Sequence, residues 1–331
     1  MGNAGEGIIA RPLKVYLDTN HLINIAKARA GENLPQGQSS ETYLFIDEYV
    51  RKHCGLILGW TSPLEWVEGN ATEKSANAIA AIFESVKLVY MMEGDTFVYT
   101  REVLDECKRC TPSIEVPKFG VAHIWSDGGT YKPASSVLCA TIPDYCEKDV
   151  LPAYIQNPKD LPQEVPVVSF SRLISENFRY KKQYHANYEE RVNGFIASLQ
   201  NDIDHAEKFF SNRSYFITEW FKRYLKIDKI LTALNPGIDI SRTLGSIDIE
   251  RCPAVKLRIR VWEMRIKDKS PPKNNDVDDW FFLPVIPYAD IVLIDSNFRH
   301  FILQADESLK AKVFADASEA AQALKNLSPS W

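Results

Sequence analysis

The sequence has no apolar run approaching the roughly 20 residues that a helix needs to span a bilayer, so a membrane-spanning chain is not expected. Cysteine is sparse, with six in 331 residues at irregular spacing. That excludes the disulfide framework of a small secreted domain. Cys107 and Cys110 form one CxxC, with Cys139 and Cys146 downstream, but no second close pair completes a structural zinc site. They read as reduced, partly buried thiols. Internal repeats and low-complexity tracts are absent, which excludes solenoid architectures. The opening MGNAGEGIIARP lacks a charged region followed by an apolar stretch, so no secretory signal is expected and a cytoplasmic location is the default. It fits a myristoylation signal poorly, because Glu6 stands where Ser or Thr is required.

What is present describes a globular chain. Hydrophobic residues at 45% and charged residues at 25% match the globular norm, and the length suits one large domain with an insertion, or two domains. The net charge of −5 gives no overall attraction for a polyanion. Between Ser171 and Pro271, however, 19 Lys/Arg face 13 Asp/Glu, a local +6 that leaves −11 elsewhere. That asymmetry suits a polyanionic partner, although solvated helix faces account for most such charges.

Leu13 to Leu17 is a short β-forming run that ends at Asp18, and so reads as a buried strand with a helix after it. Glu41 to Lys52 is predicted as a helix and Gly55 to Trp60 as a second strand. Ser62-Pro63-Leu64-Glu65 then carries a helix-start signature, with Ser62 as N-cap, Pro63 in the first position and Glu65 closing a capping box. This alternation predicts a parallel α/β sheet. From Thr111 to Val167 the pattern fails: eight of the 18 prolines fall there, and the segment is expected to be irregular. Val192, Phe195, Ile196, Leu199, Ile203, Ala206 and Phe210 then mark a long amphipathic helix. More helix is expected through Phe216, Trp220, Tyr224 and Leu225. Alternation returns with a helix start near Asn275, a strand from Asp290 to Asp295, a short strand at Lys312-Val313-Phe314 and a helix opened by Asp316 and Glu319.

Two strands thus end in an aspartate, Asp18 and Asp295, and in a parallel sheet such ends share the edge where ligands bind. A lone strand-end Asp is more often a helix N-cap. Here, however, the same edge also offers Glu65 and Glu68 from the helix after the second strand, and Asp276, Asp278 and Asp279 from the helix before the last acidic strand. Glu65 is engaged in the capping box, which leaves Glu68 as the free ligand, while Asp276 and Asp279, three apart, can share a face. Ionised carboxylates held together repel, and a hard cation such as Mg²⁺ or Mn²⁺ is their natural companion.

Val15-Tyr16-Leu17-Asp18-Thr19-Asn20-His21-Leu22-Ile23 resembles the first motif of the PIN-domain nucleases. Asn275-Asp276 to Asp279, Pro287-Tyr288-Ala289-Asp290 and Ile294-Asp295-Ser296-Asn297-Phe298 resemble the closing motifs, with 19 residues from Asp276 to Asp295. The resemblance implies a PIN-like α/β/α domain with a parallel sheet, its first part at 12–105 and its second at 270–331, interrupted by a largely helical insertion at 106–269 that is Pro-rich at its start. It implies Asp18, Glu68, Asp276, Asp279 and Asp295 as catalytic and metal-binding residues, and Asn20 as an orienter of Asp18 or of a substrate phosphate. Leu293 and Phe282 stand where relatives carry polar residues.

The expectation that follows is a divalent-metal-dependent endoribonuclease using Mg²⁺ or Mn²⁺, with RNA as substrate, DNA as the alternative polyanion, and a cognate antitoxin or other protein as a further partner. Its rival is a catalytically silent PIN-like scaffold that binds RNA or a protein. A haloacid-dehalogenase-type phosphatase is disfavoured because Asn20 stands where a second Asp is required. Asp290 reads as a strand-start or turn contact, and His21 and His300, although near the acidic strand ends, as ordinary satisfied surface side chains. Trp220, Phe221, Tyr224 and Trp262, at helical spacing, read as core rather than as a base-stacking platform.

Overall fold

Each buried strand sends alternate side chains to opposite faces, and here that period of two divides the interior into two cores. The fold is taken from a computed structural model that describes residues 13–58, 66, 72–86, 88–91, 95–116, 122–127, 130–137, 178, 188–209, 212–268 and 282–327. Strands β1 (Leu13–Leu17), β2 (Cys54–Leu58), β3 (Leu88–Met91), β6 (Ile291–Leu293) and β7 (Val313–Phe314) are mutually parallel, in the order β3-β2-β1-β6-β7. The chain is therefore an α/β protein.

One face of the sheet carries Val15, Leu17, Leu56, Leu58, Ile291 and Leu293. It is covered by α1 (Thr19–Ala30), α2 (Ser40–His53), α3 (Glu73–Ser85) and, from the end of the chain, α11 (Ala317–Asn326). Tyr16, Ile57, Val292 and Ile294 point the other way. They meet α4 (Asp95–Cys110), α5 (Tyr188–Phe209), α6 (Arg213–Arg223), α7 (Ile227–Leu234), α8 (Ile240–Gly245), α9 (Pro253–Asp268) and α10 (Ser296–Ala305). Helices thus cover both faces, as buried parallel strands require.

Local chemistry sets the helix ends. Gly31 closes α1 in the left-handed region at φ 68°, where a Cβ would be strained. Ser39 caps α2, and Thr72 and Ser75 form a reciprocal capping box on α3. Arg29 then ties three helices together: its guanidinium reaches both carboxylate oxygens of Asp47 on α2 (2.8 and 2.6 Å) and Ser85 on α3 (2.8 Å). This fixes α1, the helix that begins at Asp18.

Three expectations change. The sheet is mixed, because β4 (Ala122–Asp127) and β5 (Thr130–Val137) add an antiparallel hairpin beside β3. These strands lie in the Pro-rich stretch expected to be irregular. The signal that locates them is the Gly128-Gly129 pair between two runs, a two-residue hairpin sequence. The boundary at 105/106 falls inside α4. Finally, the helical segment after residue 188 is not set apart from the sheet: Leu199, Phe221, Leu231 and Val255 share one continuous core with Tyr16 and Ile57. Together with α4 and α10, that segment covers this face of the sheet.

The join is also polar. α9 begins with Pro253 after Cys252, which is not a capping residue, and its first amides are capped from outside: the buried carboxylate of Glu102 on α4 accepts from Ala254 N and Val255 N, each at 2.9 Å. Tyr288, in the turn that leads into β6, donates its hydroxyl to the same carboxylate. Glu102 thereby links the helical face to the strand that delivers Asp295.

Candidate functional site

Asp18 and Asp295 stand at the carboxyl ends of neighbouring parallel strands. Leu17 is paired with Leu293, and the Asp18 N–H donates to Leu293 O at 2.9 Å, so the chain leaves β1 and β6 at the same level of the same edge. Each aspartate then sits at the N-cap of a helix, but in different ways. Asp295 spends one oxygen, Oδ1, on Asn297 N (2.8 Å) and Phe298 N (3.0 Å), which leaves Oδ2 uncommitted to the cap. Asp18 makes no N-cap side-chain bond of this kind, and the Asn20 amide is at hydrogen-bonding range from its Oδ2 (3.5 Å).

Burial raises the Asp18 carboxyl above its usual range. Hydrogen bonding from Thr19 and Asn20 works against this, and the Asp295 charge adds to it. Among the described residues no lysine or arginine ion-pairs with either carboxylate. Two half-buried acids that repel, with no lysine or arginine partner among the described residues, have the chemistry of a hard-cation site. Two carboxylates plus water suffice for Mg²⁺, which keeps several of its own waters. The residues present therefore fit a divalent ion, although among the described residues no group of three or more His, Cys, Asp or Glu is arranged to hold one.

Beneath the pair lies a buried histidine. His21, 6% exposed, places Nδ1 2.9 Å from the Tyr43 hydroxyl and Nε2 3.3 Å from Ile294 O. Asn24 Nδ2 donates to the same hydroxyl at 3.1 Å, and the hydroxyl proton is within reach of Gln38 Oε1 at 2.9 Å. Burial lowers the affinity of His21 for a second proton. The sequence marked His21 only as an ordinary satisfied side chain near an acid. Its four-residue step to Ile25 could have placed it on the inner face of α1. Asp316 joins the same edge as the N-cap of α11, bonded to Ser318 N and Glu319 N, and its charge is felt at both His21 and Tyr43.

The remaining candidates separate clearly. Glu68, Asp276 and Asp279, along with Glu65 and Asp278, lie outside the described residues. Asp290 sits at the opposite end of β6, where Oδ2 accepts from Lys14 N at 2.7 Å. His300 is exposed and bonded to Gln304. Leu293 and Phe282 both serve the core: Leu293 is fully buried, and Phe282 packs its ring 5.1 Å from that of Tyr16. Trp220, Phe221 and Trp262 are core residues as expected, whereas Tyr224 is 42% exposed. With Tyr215, Glu219 and Arg223 it borders a pocket of about 200 Å³ over Trp220 and Trp262. Cys107 and Cys54 are buried thiols whose acidity burial suppresses, up to about 12 in each case, and no described helix is long and apolar enough to cross a membrane. The chain matches no protein-family model, and neither a curated protein nor a solved structure matches it significantly.

Proposed function

We propose that the chain is a divalent-metal-dependent endoribonuclease of PIN-like type, with DNA as the alternative polyanion. One observation carries the reading: Asp18 and Asp295, with no lysine or arginine partner among the described residues, leave adjacent parallel strands at the carboxyl edge of an α/β sheet, where such folds bind ligands. A bound Mg²⁺ or Mn²⁺ supplies an acidified water and a counter-charge for the phosphate. Asp18 and Asp295 would hold it, and Asn20, exposed beside Asp18, would orient that carboxylate or a substrate phosphate. Glu68, Asp276 and Asp279 complete the acidic shell in this reading, with the basic 171–271 segment holding the polyanion or a protein partner such as an antitoxin. The test is cleavage of single-stranded RNA with Mn²⁺ by the wild type, Asp18→Asn and Asp295→Asn. Equal metal-dependent cleavage by all three removes the proposal.

The rival reading is a catalytically silent PIN-like scaffold. It expects RNA or partner binding with neither cleavage nor stabilisation by Mn²⁺.

A further inference from the structure

We propose that His21 is a positioning residue that fixes the peptide entering Asp295 relative to Asp18, and so sets how tightly the acidic pair holds a divalent cation. The inference rests on reading that pair as a cation site. His21 lies one helical turn after Asp18, on α1, so it moves with one acid. Its Nε2 reaches the carbonyl of Ile294, the residue immediately before the other acid. That carbonyl and the Asp295 N–H belong to one rigid peptide plane. Holding the oxygen therefore sets the plane from which Asp295 departs.

The ring is itself held. Tyr43, on α2 and fully buried, meets Nδ1 at 2.9 Å, and its hydroxyl oxygen accepts from Asn24 Nδ2 at 3.1 Å. The peptide before it is fixed by β7, through Ile294 N donating to Phe314 O at 3.0 Å. A ring with both nitrogens engaged and almost no exposed surface orients its neighbours without touching substrate. Groups that orient metal ligands from behind are worth tenfold to a hundredfold in metal affinity. The acids facing His21 from the packed elements are Asp295 on the β6 side and Asp316 at the start of α11.

The experiment is Mn²⁺ titration of the full chain by calorimetry. His21→Gln keeps an amide N–H at about the reach of Nε2, whereas His21→Asn keeps one only at the reach of Nδ1 and leaves Ile294 O unpaired. The expected result is affinity within about threefold of wild type for His21→Gln and at least about tenfold weaker for His21→Asn. Equal affinities for the two variants overturn the inference while leaving the cation site standing. No Mn²⁺ binding by the wild type overturns both. Should His21→Asn not fold, Tyr43→Phe decides: it frees the ring while sparing every carboxylate, and wild-type affinity there overturns the inference.

Discussion

The backbone N–H of Asp18 donates to Leu293 O, two residues before Asp295, at 2.9 Å. A ladder bond at the last rung of two parallel strands leaves the following residues at one height, and that rung is what brings acids 277 positions apart to a common edge. Asp18→Asn and Asp295→Asn are each expected to lower Mn²⁺-dependent RNA cleavage at least about 100-fold. In the metal-free protein the sign reverses for Asp18→Asn. Removing a charge that burial and Asp295 disfavour stabilises the fold, which is read as a higher Tm in the presence of chelator.

The same carboxyl predicts a pH dependence. Its folded-state affinity for a proton is raised above the ordinary Asp value of 3.8, so the folded chain binds more protons than the unfolded one in the window just above that value. Metal-free stability from this group is therefore present at low pH and is lost as pH rises through the folded value. Stabilisation by Mn²⁺, which needs the ionised pair, grows over the same window. Melting curves from about pH 4 to about pH 7, with Mn²⁺ and with chelator, should diverge as pH rises; parallel curves refute the assignment.

Glu102→Ala removes a buried carboxylate that accepts from two helix amides and a tyrosine hydroxyl. Leaving three donors without an acceptor is expected to destabilise the protein by about 3 kcal/mol. Glu102→Gln, which keeps one oxygen, should cost about half of that. Urea denaturation measures both, and a loss within about 0.5 kcal/mol for Glu102→Ala would show that the cap contributes little.

Gly31→Ala tests backbone strain alone. A Cβ at Gly31 meets nothing within 4 Å, yet the residue holds φ +68°. The expected cost is about 1 kcal/mol, with Gly31→Asn milder because Asn tolerates that region. Thermal denaturation separates the two, and an unchanged Tm for Gly31→Ala contradicts the strain argument.

Much of the sheet was legible because its signals are local. Leu13–Leu17 and Ile291–Leu293 are short β-forming runs, each followed closely by an acid, and Asp316 announces a helix start through a side chain that caps within three residues. The pairing of Asp18 with Asp295 followed from the rule that parallel strand ends share an edge. What was not legible is non-local. Proline content hid the β4–β5 hairpin, because composition outweighed its turn signal. Glu102 looked like any helical glutamate, since its partners lie more than 150 positions away. The helical segment read as an insertion because an amphipathic helix shows that it has a buried face without showing which surface it covers.

The clamp between Asp290 and Lys14 acquires a role from the shortness of β6. Asp290 both accepts from Lys14 N and donates its own N–H to Lys14 O, and only Ile291–Leu293 form the strand before the chain heads for Asp295. Three residues contribute little cooperative pairing. A one-step slip would exchange Val292 and Leu293 between the two cores and swing the terminal acid to the wrong side. The doubly bonded aspartate at the far end thus serves as a register pin, holding a very short strand in the one alignment that keeps both acids in step.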